Sequence, residues 1–181
     1  MAPIPLAVHL GFLLSDRVEV NYFQFDRDEK TWKWPTGEQA NADTQIIISG
    51  LPKNVINDPV EVSLSIGLSA PIAGMDVQEG APNCASHIAI SVAEPDVMWL
   101  RSPKQLQELT RVLRRTLTAI RTNVPRCTSI HVFYAGPTGG AIVLGQTINP
   151  RMNAPVHLYQ YSQQTSPRYQ HALTLTETLS L

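Results

Sequence analysis

Gly136-Pro137-Thr138-Gly139-Gly140, followed by the apolar run Ala141 to Leu144, is the stretch whose residue types best suit work on a ligand. Glycines at the start of a helix leave backbone N–H groups unpaired, and the helix dipole adds partial positive charge there. That combination suits a phosphate. The turn is neither a P-loop nor a dinucleotide fingerprint, because no Lys follows the glycines and the spacing G-x-G-x-x-G is missing. Nothing beside it forms a nucleophile–base arrangement. These residues are built for holding an anion rather than for cutting one, although a glycine entry that serves only close packing would read the same way.

Other candidates sit where strands are predicted to end. Ser69-Ala70-Pro71 closes one apolar run, and Tyr159-Gln160-Tyr161 closes another. Trp32 and Trp34 alternate across Lys33, so both fall on one face of a ribbon. Paired aromatics there stack on adenine rings, bury into a neighbouring subunit, or pack on their own domain. Tyr134, Tyr159 and Tyr161 are candidates to line a base pocket, though strand ends commonly carry tyrosine. His9, His87, His131 and His157 each fall in a predicted strand, with no H-x-x-x-H or H-x-E spacing. They read as hydrogen-bonded core or edge residues. No metal site and no catalytic residue is assigned.

The elements that must position these residues follow from pattern. Pro5–Leu14 reads as an apolar first strand. Arg17–Phe25 alternates, Asp26–Lys30 is a polar turn and Thr31–Pro35 the return strand of an N-terminal β-hairpin. Residues 36–44 are a loop. Ile46–Ile48, Val60–Leu68 and His87–Val92 are strands. Ser102-Pro103-Lys104-Gln105 is a strong helix start: Ser as N-cap, Pro at the first position, Gln completing a capping box. Leu106, Leu109, Leu113, Leu117 and Ile120 share one stripe with Val112 beside it, and Pro125 stops the helix. A strand at 129–135, a helix at 138–148 with Thr138 as N-cap, and a strand at 156–161 complete an α/β arrangement with a mostly parallel sheet. In such sheets ligands bind beyond the carboxyl ends of the strands, where the three candidate loops converge. The tail, 162–181, reads as a short added strand or an interaction segment.

Composition bounds the class. The 181 residues are 43% apolar and 16% charged, enough for one well-buried domain. Net charge is −1, which excludes bulk nucleic-acid binding, and no apolar run is long enough for a membrane span. Cys84 and Cys127 form no disulfide framework or zinc pattern, so a reduced, cytoplasmic protein is expected. Charge is polarised: residues 1–100 hold thirteen acids and five bases, whereas 101–126 hold seven bases and one acid. Such a chain can stack head to tail into an oligomer or filament. A solvated basic helix face is the plainer reading.

With these residues laid out, the chain resembles the SAVED domain, a cyclic-oligonucleotide sensor of bacterial anti-phage defence (CBASS). The resemblance rests on His131-Val132-Phe133-Tyr134-Ala135-Gly136-Pro137 with Ala141-Ile142-Val143-Leu144-Gly145, and on Pro155-Val156-His157-Leu158-Tyr159-Gln160-Tyr161. Phe23-Gln24-Phe25-Asp26-Arg27 with Trp32-Lys33-Trp34-Pro35, and Leu64-Ser65 to Leu68-Ser69-Ala70-Pro71, precede them in order. It implies a Rossmann-like fold related to the CARF domains of type III CRISPR accessory proteins. It also implies binding of cyclic tri- or tetra-adenylate, with assembly switching on an effector. Phosphates are then expected near Ser69, Ala70, Pro137, Thr138, Gly139 and Gly140, and bases against Trp32, Trp34 or Tyr161. The chain is taken as one sensor-like domain, 1–181, without an effector module, and as the C-terminal of the family's two CARF-like halves. A separate subunit, or further copies of this chain, would complete it. Rival expectations are a ring nuclease that degrades the signal and a ligand-independent scaffold subunit.

Overall fold

Alternation along β2 sets the architecture. Val62, Leu64 and Ile66 point to one side of the strand and Ser63, Ser65 and Gly67 to the other, so one side demands an apolar layer. The computed structural model describes residues 3–15, 19–23, 25, 30–34 and 45–176. Within them the order is α1 (Ile4–Leu14), β1 (Ile46–Ser49), β2 (Val60–Gly67), α2 (Gly74–Gly80), β3 (Cys84–Val92), α3 (Pro103–Asn123), β4 (Cys127–Ala135), α4 (Thr138–Thr147), β5 (Val156–Tyr161) and β6 (Tyr169–Leu175). Six strands form one sheet ordered β1-β3-β2-β4-β5-β6. The four central strands are parallel, and β1 and β6 close the edges antiparallel. The mostly parallel α/β sheet expected from the sequence is therefore present.

Helices α1, α3 and α4 cover the apolar side. Val62, Leu64, Ile66, Ile88, Ile90 and Val132 meet Leu109, Leu113 and Leu117 of α3 and Val143 and Leu144 of α4 in the main core. The helix α3 begins as its sequence predicts: Ser102 Oγ accepts the Gln105 N–H at 3.3 Å. The box closes one residue early, however, because Gln105 Oε1 takes the Arg101 N–H at 2.7 Å rather than that of Ser102. Arg111, Arg114 and Arg115 lie exposed on the outer face, with Arg111 paired to Glu108. Among the described residues, the helix on the other side of the sheet is α2, over Phe133, Tyr159 and Tyr169.

Three expectations are overturned. Pro5–Leu14 is the helix α1, not a strand. A continuous apolar run has no period to separate the two, and here Pro5 sits in the first turn, where its missing N–H costs nothing. The helix crosses α4 backbone to backbone at two glycines. A Cβ on Gly11 would overlap the Ile142 carbonyl, and one on Gly145 would overlap that of Val8. The N-terminal hairpin has no ladder among its described residues: 19–23 carry no strand and Thr31 makes one isolated bridge. Its turn, 26–29, and residues 17, 18, 24 and 35–44 lie outside the described residues. The described residues on either side of that turn meet: Trp34 Nε1 donates to Tyr22 O at 3.0 Å, and Phe25 meets Trp32 at 5.2 Å between rings. The third is Thr138, which is the first helical residue; Pro137 is the N-cap, and no side chain caps α4.

Candidate functional site

The parallel order places the ends of β2, β3 and β4 side by side, and the loops that follow them meet. The carbonyl of Ala135, the last residue of β4, accepts the N–H of Leu68 at 2.8 Å and that of Ser69 at 2.9 Å. This brings Ser69 and Ala70 against the entry to the glycine turn. Asp96 N–H donates to Leu68 O at 3.1 Å, which ties in the loop after β3. Asp96 also pairs with Arg101 at 2.9 Å, so an ion pair stands in the same loop cluster.

Beneath the turn lies Tyr134. Its side chain is fully buried, and its hydroxyl donates to Pro137 O at 2.8 Å. Burial drives that hydroxyl's pKa far above the ordinary tyrosine value, so it remains a donor. A Cβ on Gly136 or Gly140 would strike the same ring or hydroxyl, so these two glycines make room for it. Tyr134 is thus a support for the turn rather than the wall of a base pocket. Tyr159 is likewise buried, stacked on Phe133 at 4.5 Å. Close packing explains Gly136 and Gly140; the half-buried Thr138 and Gly139 between them remain accessible at the head of α4.

The structure gathers some expected residues and separates others. Ser69, Ala70 and Pro137 to Gly140 form one cluster at the carboxyl edge. Tyr161 lies at the same edge, half-exposed against Tyr169 at 5.1 Å, three residues past the last β4–β5 pair. The two tryptophans do not share a surface. Trp32 is 64% exposed beside Asn21 and Phe23, whereas Trp34 packs on the main core. Trp34 lines a groove of about 470 Å³ with Tyr22, Leu106, Arg114, Val143 and Gln146. Gln146 lies seven residues beyond Gly139, about 10 Å along α4 from the turn. Trp34 therefore stands away from the phosphate-type site.

One contributor escaped the sequence reading. Gln105 is completely buried, and among the described residues its Nε2 has no hydrogen-bond partner. It lines a cavity of about 450 Å³ with Glu94, Asp96, Trp99 and Arg101 at the carboxyl end of β3. Such a donor is costly to leave unmade and is a point for an acceptor on a ligand. Its only sequence signal was the capping position, which accounts for its oxygen but not its nitrogen.

Parallel strands, helices on the apolar side, and carboxyl-edge loops gathered at a glycine-opened helix define a Rossmann-like binding domain. The family model of SAVED, "SMODS-associated and fused to various effectors sensor domain", matches residues 1–175, and the chain belongs to that family. No curated protein matches the chain by sequence. Among solved structures, the fold is similar to the Acinetobacter baumannii Cap4 SAVED/CARF-domain containing receptor with the cyclic trinucleotide 2'3'3'-cAAA. The TM-score is 0.64 at 17% identity, over 96% of this chain and 37% of that one. The same receptor with 3'3'3'-cAAA gives 0.65 at 16% identity, over 96% and 36%. The Moraxella osloensis Cap4 receptor gives 0.55 at 16%, over 96% and 34%. The chain spans little more than a third of the receptors it matches. No helix among the described residues is long and apolar enough to cross a membrane.

Proposed function

We propose that this chain is a sensor for a cyclic oligonucleotide, a cyclic tri- or tetra-adenylate, and that it holds the ring without cleaving it. The observation that carries the reading is the junction at Ala135, where the Ser69–Ala70 loop and the opening of α4 hang on one carbonyl. Such a ring carries three or four negative charges in a small space, which a few backbone donors and a local cation can hold. Thr138, Gly139 and Gly140 supply helix-terminal N–H groups, Ser69 and Ala70 face them, and Arg101 offers a guanidinium that a phosphate would share with Asp96. Tyr161 stacks a base at the same edge. Membership in a family of sensor domains, and the two cyclic trinucleotides held by one receptor of this fold, favour an adenylate ring.

Binding promotes association, of further copies or of a separate effector subunit, by differing in affinity between the free and assembled states. The test is calorimetry and light-scattering chromatography with a panel of cyclic di-, tri- and tetranucleotides. One ring is expected to bind, and Thr138→Glu is expected to weaken it at least about tenfold, or about 1.4 kcal/mol. Absence of binding to every ring sinks the ligand assignment. Binding with no change in mass, with a candidate effector present as well as absent, sinks the assembly step.

A further inference from the structure

The opposite end of the sheet carries a second constellation, remote from the carboxyl-edge loops. There the starts of β2 and β3 and the middle of β4 bring a carboxylate, a thiol and an imidazole together on the open side. Glu61 on β2 pairs in register with Cys84 on β3, and its other neighbour, β4, carries His131 two residues beyond the Glu61 partner Ser129. Donor atoms of Glu61, Cys84 and His131 all lie within 4.8 Å of one another. His131 Nε2 is 3.3 Å from Glu61 Oε2.

We propose that Glu61, Cys84 and His131 form a binding site for a divalent metal of the zinc type, with one position left for water. Two donors each about 2 Å from a tetrahedral ion stand about 3.3 Å apart, which matches the Glu61–His131 spacing. The remaining separations, up to 4.8 Å, are within reach of side-chain rotation on a fixed backbone. The imidazole is already aimed. Its Nδ1 bonds the Tyr159 hydroxyl at 2.8 Å, leaving Nε2 toward the carboxylate and toward Ser129 Oγ at 2.9 Å. An outer partner on the far nitrogen is the usual orienting device for a metal-bound histidine. A mixed sulfur, nitrogen and oxygen set selects zinc over the hard cations magnesium and calcium. Binding displaces the thiol proton to solvent, and the ion neutralises the thiolate and carboxylate it draws together. Access is from the Glu61 side, whose side chain is 35% exposed, while Cys84 packs at the edge of the cluster under α2. The ion would clamp the amino ends of β2 and β3 to the middle of β4, and the proposal does not depend on the nucleotide reading.

The separate cysteine supplies a control, since Cys127 Sγ is engaged with Ser129 O at 3.3 Å. The reduced, chelator-treated full chain is titrated with Co²⁺ as a spectroscopic stand-in for Zn²⁺. One equivalent is expected, with a thiolate-to-metal charge-transfer band that Zn²⁺ abolishes by displacement. Cys84→Ser should remove the band, and Cys127→Ser should leave it. Glu61→Gln and His131→Gln should each weaken Zn²⁺ in chelator competition by at least the roughly tenfold that loss of an outer-shell partner costs. Because His131 is buried and its variant risks misfolding, melting temperatures supply a second readout. Zn²⁺ should raise that of the wild type and not that of Cys84→Ser. No charge-transfer band in the wild type, a band that survives Cys84→Ser, or equal Zn²⁺ stabilisation of both proteins overturns the site.

Discussion

The two sides of the central sheet are built from the same strands and do opposite work. On the side under α1, α3 and α4, the strands present Val, Leu and Ile, and the helices close over them. On the other side one rung of neighbours reads His87, Ser63, His131, His157 and Thr174 across five strands. Those polar groups satisfy one another: His87 Nδ1 meets Ser63 Oγ at 2.9 Å, and His157 Nδ1 meets Thr174 Oγ1 at 2.8 Å. Parallel sheets are commonly apolar on both faces because helices cover both. Here the lopsided composition records a lopsided cover. Apolar packing is concentrated on the first side, and paired polar groups line the second.

The contrast is open to direct attack. The largest effect is expected from Leu113→Ala, which empties a completely buried position on α3 and should cost about 2–5 kcal/mol in urea unfolding. A loss under 1 kcal/mol, by the scale of such truncations, would mean that this side is not the main core. Next comes Tyr134→Phe, which removes one of two donors to the Pro137 carbonyl, the Ala141 N–H remaining at 3.2 Å, and should cost about 0.5–1.5 kcal/mol. If it is neutral, the turn does not depend on that hydroxyl.

The polar side should reveal itself through pH. Burial lowers the pKa values of His87, His131 and His157, with His157 adding to the shift at His131 and His171 to that at His157; Glu61 pulls the last two the other way. A histidine whose folded pKa lies below its unfolded one stabilises fully above the unfolded value, near 6.5, and loses that contribution as pH falls through the folded value. Urea midpoints measured with a chelator present should therefore fall from pH 7.5 to pH 5. A flat or rising profile toward acid would contradict the buried-neutral assignment. The smallest effect is expected from Ser65→Ala. Its hydroxyl makes only a 3.4 Å contact with His87, so the loss should stay below about 1 kcal/mol in the same unfolding assay.

Much of this fold was legible along the chain. The stripe Leu106 to Ile120, the Ser102 cap and the alternation of β2 each name their element, because period and capping chemistry are local properties. The carboxyl-edge site was half legible. Ser69, Ala70 and the glycine turn could be placed at strand ends, and the parallel order then joins them. The tryptophans could not be placed, because nothing local says that Trp34 turns inward while Trp32 stays out. The seven residues of α2 are too few to show a period, and they escaped notice.

What the residues alone determined is therefore the central strands, the long helix and the glycine-opened turn, since each depends on neighbours a few positions away. Tertiary structure decided the rest. It made Ile4–Leu14 a helix, because the glycines of α1 and α4 let two backbones touch. It turned Tyr134 from a candidate pocket wall into the prop beneath a loop. It also set Glu61, Cys84 and His131 within one ion's reach, although 70 residues separate the first from the last. Strand order is not encoded in any short pattern, so which distant side chains become neighbours emerges only when the sheet is assembled.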